Sequence, residues 1–137
     1  MKLENRKALV TGAAGGLGQA IVARLQAEGA MVAASDLDLA GSTANKLIPG
    51  DLRDTGYTDG LAKAAYDALG GLDIVVNNAG TITRGAITQT TDDDLARTMA
   101  INFEAPFRIC RAAIPILEVS GGGAIVNISS CWGVHPG

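Results

Sequence analysis

Cysteine is scarce in this chain of 137 residues. Its two cysteines, Cys110 and Cys131, fall in a helical and a post-strand context, make no framework of bridges, and are both expected to be reduced. Histidine occurs once, as His135, with no clustered partners, so no metal site is expected. Positive charge is not in excess. Eleven Lys and Arg against fourteen Asp and Glu leave a net charge of −3, which argues against nucleic acid or an anionic membrane as the main partner and points to a small soluble ligand. Long apolar runs are missing as well. None approaches a membrane span, and the polar residues 1–7 precede an apolar stretch too short for a signal peptide, so the expected compartment is the cytoplasm.

What remains is a globular composition, 47% hydrophobic and 18% charged, in a length suited to one domain over residues 1–137 with a real core. Its organising stretch is Thr11-Gly12-Ala13-Ala14-Gly15-Gly16-Leu17-Gly18. Ala8, Leu9 and Val10 before it suit a strand buried on both faces. Leu17, Ile21, Val22 and Leu25 after it recur at helical spacing, and Gly29 stands where such a helix stops. At a strand-to-helix junction the unpaired amides and positive dipole end of the helix attract an anion, and glycines let a pyrophosphate approach the backbone. The turn therefore reads as a dinucleotide site. Four glycines allow two frames, Gly12/Gly16/Gly18 or Gly12/Gly15/Gly18, and neither is G-x-G-x-x-G. A bare structural connection between strand and helix has the same composition.

Further along, residues 30–35 read as a second strand that ends at Asp36, 18 residues after Gly18 and close to where a dinucleotide fold places an acid against the adenosine ribose. A carboxylate there favours NAD over NADP, because it repels a 2′-phosphate and no Lys or Arg stands in the turn or in residues 37–44 to neutralise it. Asp38 competes for that role, and capping of a following helix is the plainer use of Asp36. Residues 38–45 admit a short helix, and residues 46–52 a third strand placed at an edge by Pro49 and closed by Asp51 and Leu52. Residues 58–69 form a helix broken by Gly70 and Gly71, and residues 72–76 a fourth strand running into Asn77-Asn78-Ala79-Gly80. Residues 81–90 read as a loop. Thr91 caps the longest helix with Asp94 as its box partner, and Leu95, Met99, Phe103, Phe107, Cys110, Ile114 and Leu117 form a stripe expected to face the core. Inside it, Pro106 has no N–H for the carbonyl of Asn102, which is left to hold a water or a ligand. Residues 124–128 give a fifth strand ending at Ser129-Ser130, and residues 131–137 a loop. Strands alternating with helices at this pace imply an α/β fold, a Rossmann-like doubly wound parallel sheet.

Together, Thr11-Gly12-x-x-x-Gly16-x-Gly18, Asp36, Asp51-Leu52, Asn77-Asn78-Ala79-Gly80, Asn102 and I-V-N-I-S-S ending at Ser130 resemble the short-chain dehydrogenase/reductase family over the whole chain. The resemblance selects the Gly12/Gly16/Gly18 frame and the non-extended branch. It implies an NAD(P)-dependent oxidoreductase moving a hydride between nicotinamide and a carbonyl or secondary alcohol, with NAD favoured. It also implies roles: Gly12, Gly16, Leu17 and Gly18 at the pyrophosphate, Asp36 at the adenosine ribose, Asp51 and Leu52 beside adenine, and Asn78, Ala79 and Gly80 along the ribose. Ser130 would donate to the substrate oxygen, and the Asn102 carbonyl would hold a relay water. The family's acid/base, a Tyr in Y-x-x-x-K after this serine, has no match: Tyr57 is followed by Leu61 and Tyr66 by Gly70. Both faces of the fifth strand want cover, so the chain is expected to be the N-terminal part of a longer enzyme, truncated after that strand and a homo-oligomer at full length. A non-catalytic short form that binds a dinucleotide or a partner is the alternative. A methyltransferase using S-adenosylmethionine shares the turn and the acid but leaves Asn77 through Gly80 and Ser130 unexplained. Cys131, Trp132 and His135 are expected near the substrate pocket, His135 more as a solvated loop residue.

Overall fold

Ala8, Leu9 and Val10 have no solvent exposure, because β1 (Lys7–Thr11) lies in the middle of a sheet covered on both faces. The computed structural model describes residues 1–131, so Trp132 and His135 lie outside the described residues. With β2 (Met31–Asp36), β3 (Lys46–Pro49), β4 (Ile74–Asn77) and β5 (Ala124–Asn127), β1 forms one parallel sheet in the order β3-β2-β1-β4-β5. The expected Rossmann-like doubly wound α/β architecture is what the structure has. Alternate residues of each strand point to opposite faces, so Ala8, Val10, Val32, Ala34 and Val76 meet α1 (Gly16–Ala27) through Val22. Leu9, Ala33 and Val75 point the other way, into a layer built from α2 (Thr55–Leu69) and α4 (Ala105–Val119). The strand order reverses between β1 and β4, and the C-terminal ends of those two strands frame a crevice of the kind that open α/β sheets use for ligands.

Several elements depart from the sequence expectation. Residues 38–45 form turns, not a helix: the Asp38 carboxylate accepts the Ala40 N–H at 2.9 Å, a local bond that competes with helix, and Gly41 sits at φ +77°. The third strand ends at Pro49, so Asp51 and Leu52 lie beyond it. α2 starts three residues early because Asp54 accepts the Gly56 and Tyr57 amides at 2.8 and 3.1 Å. β4 starts two residues late, since Asp73 uses its carboxylate on Arg6 and on the Lys7 amide. Residues Ile87–Gln89 make a 3₁₀ turn within the expected loop.

The long helix is three pieces. α3 (Asp92–Met99) opens with the anticipated Thr91/Asp94 capping box. The π-helical turn Ala100–Glu104 then precedes α4, with the Ala105 N–H reaching back five residues to the Ala100 carbonyl. Pro106 explains the loosening, since it cannot supply the bond that an α-helix would make to Asn102. The expected core stripe is also corrected. Leu95, Met99, Phe103, Phe107 and Ile114 are exposed and Cys110 is half-buried; of the stripe only Leu117 is in the core. α4 instead buries Ala105, Ile109, Ala113 and Leu117, because the small alanines on this face let it come close to Ala62 and Ala65 of α2. Arg108 and Arg111 of α4 reach Asp59 of α2 across the same seam.

Ile109→Ala should lower stability by about 2–5 kcal/mol, whereas Phe107→Ala, at a side chain largely in water, should cost less than about 1 kcal/mol. Urea unfolding of both variants measures this, and the opposite order would return the phenylalanine stripe to the core.

Candidate functional site

β1 ends at Thr11, and Gly12 turns the chain with φ +62°, a conformation that L side chains rarely adopt. A Cβ there would lie 2.7 Å from Ala79 Cα and 2.9 Å from Ala79 N, so the exit of β4 occupies the space a side chain would need. Gly18 has the same constraint from the helix side: a Cβ would overlap the Gly12 carbonyl and come within 2.8 Å of Ala13 Cα. Gly16 differs. Nothing lies within 4 Å of its missing Cβ, whereas that of Gly15 faces the Gly12 carbonyl at 3.5 Å. Gly12 and Gly18, common to both glycine frames, are thus fixed by close packing, and Gly16 opens onto free space. Gly15 is the N-cap of α1 and supplies no side-chain bond, and the first turn carries no carboxylate. By contrast α2 is capped by Asp54, and α3 by Thr91 with three aspartates behind it. The α1 amides and dipole are therefore left to whatever anion arrives.

The turn is tied to β4 by two side chains. Thr11, 1% exposed, accepts the Asn78 and Ala79 amides on its Oγ1 at 3.1 and 3.2 Å. The Asn78 side-chain amide returns two bonds, to the carbonyls of Thr11 at 3.1 Å and Gly12 at 3.0 Å. The sequence signal for Thr11 is a lone hydroxyl at the end of the apolar run Ala8-Leu9-Val10. Asp36 joins from the other side, with Oδ2 accepting the Ala14 N–H at 3.0 Å and Oδ1 the Leu37 N–H at 2.7 Å. Each oxygen keeps a lone pair for a further donor.

A cavity of about 520 Å³ lies over this junction. Every residue expected at the cofactor lines it: Gly12, Gly16, Leu17, Gly18, Asp36, Asp51, Leu52, Asn78, Ala79 and Gly80. No Lys or Arg is among its lining residues. Asp51 takes bonds from the Arg53 guanidinium, at 2.6 Å from Nη2 and 2.9 Å from Nε, and this pairing holds its carboxyl below the usual carboxylate range. A second cavity, about 730 Å³, shares Asn78, Ala79, Gly80 and Thr81 with the first and continues to Asn102 and Ser130. Thr83, Thr90, Asp94 and Thr98 make its far wall. Thr91 bonds to Asp94 and lowers that carboxyl's pKa.

Asn102 enters differently from the expectation, which rested on its carbonyl. Its side chain pairs with the backbone of Thr81, donating to the carbonyl and accepting from the amide, both at 2.8 Å. It thereby fixes the chain leaving Gly80. Among the described residues no group of three metal-ligating side chains occurs and no helix is long and apolar enough to cross a membrane. Cys110 and Cys131 are both free thiols.

The family model for short chain dehydrogenase matches residues 6–137. An uncharacterized oxidoreductase of Thermotoga maritima is 32% identical over 95% of this chain and 55% of its own length. Galactitol 2-dehydrogenase of Agrobacterium fabrum is 34% identical over 95% of this chain and 54% of its own. Among solved structures, a short chain dehydrogenase from Burkholderia cenocepacia in complex with NADP superposes with a TM-score of 0.88 at 29% identity, covering all of this chain and 60% of that one. The chain thus spans a little over half the length of these relatives.

Thr11→Val keeps the shape of the side chain but leaves the Asn78 and Ala79 amides without their acceptor, a loss of about 1–3 kcal/mol for an unsatisfied buried group. Chemical denaturation should show it, and an unchanged midpoint would mean that the hydroxyl does not hold the two strand ends together.

Proposed function

The chain belongs to the short chain dehydrogenase family, and from that premise we propose that it holds a nicotinamide dinucleotide, NAD in preference to NADP, for oxidoreduction of a carbonyl or secondary alcohol. The observation that carries the proposal is the meeting of all ten expected cofactor residues around one cavity, with the open side of Gly16 at the uncapped start of α1. The geometry fits the group. Glycine amides and the helix dipole suit a diphosphate, the Asp36 carboxylate suits ribose hydroxyls, and Asp51 and Leu52 form the wall for adenine. When bound, nicotinamide supplies the hydride acceptor or donor.

In this reading the residues of the chain bind and orient. Asn78 holds the glycine turn against β4, and Asn102 holds Thr81 where the two cavities meet. Ser130 and Asn102 both line the second cavity, where Ser130 donates to the substrate oxygen and Asn102 is the second residue of the reaction side. Neither tyrosine is assigned the proton step: the Tyr57 hydroxyl is committed to the Ile48 carbonyl, and no Y-x-x-x-K pattern occurs in the 137 residues. The substrate is a small molecule, and the hydroxyls and amides of Thr81, Thr83, Thr98, Asn102 and Ser130 suit one that carries hydroxyl groups of its own, as the name of the Agrobacterium relative does. Localisation in the cytoplasm and assembly into a homo-oligomer belong to the same proposal.

The preference for NAD rests on charge. A 2′-phosphate near Asp36 would face a carboxylate with no cation among the lining residues, and like charges about 4 Å apart cost about 1 kcal/mol in bulk water and about 4 kcal/mol at an effective dielectric of about 20. Calorimetric titration should therefore give NADH at least about fivefold tighter than NADPH, and Asp36→Ala should narrow the gap. Equal affinities for the two coenzymes would remove Asp36 from the role.

A further inference from the structure

Tyr57 touches neither cavity, yet it is bonded to both strand ends from which the adenosine wall emerges. Its hydroxyl donates to the Ile48 carbonyl of β3 at 2.6 Å. With that proton engaged, the Ser35 hydroxyl 2.8 Å away is the donor to the Tyr57 oxygen. Ser35 is fully buried and directly precedes Asp36 in β2. Burial pushes the phenol above its usual value, so the donated proton stays in place.

The ring has its own seat. A Cβ at Gly50 would fall onto Tyr57 ring carbons, so only glycine at 50 lets the ring lie under the exit of β3. The Gly50 amide in turn donates to the Asp36 carbonyl at 3.0 Å. β3 needs such support. It is an edge strand of four residues paired only with β2, and its last residue, Pro49, has no N–H to give. Asp51 and Leu52 follow within three residues of that end.

We propose that Tyr57 is a positioning residue for the adenosine end of the dinucleotide site, acting through Ser35 and Gly50 on Asp36 and Asp51; this rests on the dinucleotide reading above. Without the hydroxyl the ring still fills the space at Gly50 and the β2–β3 ladder remains, but the side-chain bridge from Ser35 to the Ile48 carbonyl is lost behind the cavity. The wall must then be ordered by the ligand, which weakens binding at that end.

The test is titration of the chain and of Tyr57→Phe and Ser35→Ala with NADH and with NADPH, beside hydrogen exchange at the Gly50 amide. Tyr57→Phe should bind NADH about fivefold more weakly, the range expected for one or two lost hydrogen bonds. NADPH should lose less, so the ratio between coenzymes shrinks, and the Gly50 amide should exchange faster. Ser35→Ala should act in the same direction, and combining it with Tyr57→Phe should add little, because both break one link. If the unaltered chain binds neither coenzyme, the dinucleotide reading itself fails. If it binds them but Tyr57→Phe keeps both affinities while losing thermal stability, Tyr57 only supports the fold and the inference is overturned.

Discussion

The approach of Gly12 to Ala79 is the contact on which the site depends. Two parallel strands that belong to different crossovers end side by side there, and each must leave the sheet in its own direction. A side chain at Gly12 would strike the Ala79 backbone, so glycine at a positive φ is the condition for bringing the ends together. Thr11 and Asn78 then satisfy the polar backbone that this crowding buries. Buried amides left without partners would each cost about 1–3 kcal/mol, enough to pull the two exits apart. The bonds are therefore a requirement of the geometry and not an addition to it.

From that junction the rest follows in order. The tight turn sets α1 over the crevice, and Gly18 lets the helix sit against the turn it has just left. The α1 start carries no cap and no acid, so its amides and dipole face the cavity. Asp36 reaches the same turn through the Ala14 amide, which places one negative charge at a fixed distance from a positive helix end. The result is a site whose two ends differ in sign: bare amides and the helix dipole at one end, and the Asp36 carboxylate at the other. Asn102 extends the arrangement by holding Thr81, which lines both cavities.

How much of this was legible depended on whether the chemistry was local. The glycine turn, Asp36 and the Asn78 segment could be read because backbone geometry demands particular residues at particular spacings there. The Thr91/Asp94 box was readable for the same reason. The stripe expected in the core is not the buried one, because two faces of the segment from α3 through α4 have acceptable helical spacing. Size favoured Phe103 and Phe107, while packing favoured Ala105, Ile109 and Ala113, which fit against the alanines of α2. Spacing alone carries no information about the neighbour's shape. Pro106 correctly marks a disturbance at Asn102, whereas the pairing of the Asn102 side chain with Thr81 has no signal in the sequence, since Thr81 comes within reach only after folding. Tyr57, half-buried in the structure, has no signal in the sequence, because its partners, Ser35 and Ile48, come from two other elements.

If a diphosphate rests on the amides opening α1, those amides must respond when one binds. The most direct measurement is a titration of the ¹⁵N-labelled chain with ADP-ribose, following backbone amide shifts by nuclear magnetic resonance. The largest saturable changes should fall at Gly15, Gly16, Leu17 and Gly18, with smaller ones at Leu37 and Ala79. Saturable binding that leaves those four amides unmoved, while shifting others, would show that the diphosphate does not rest there.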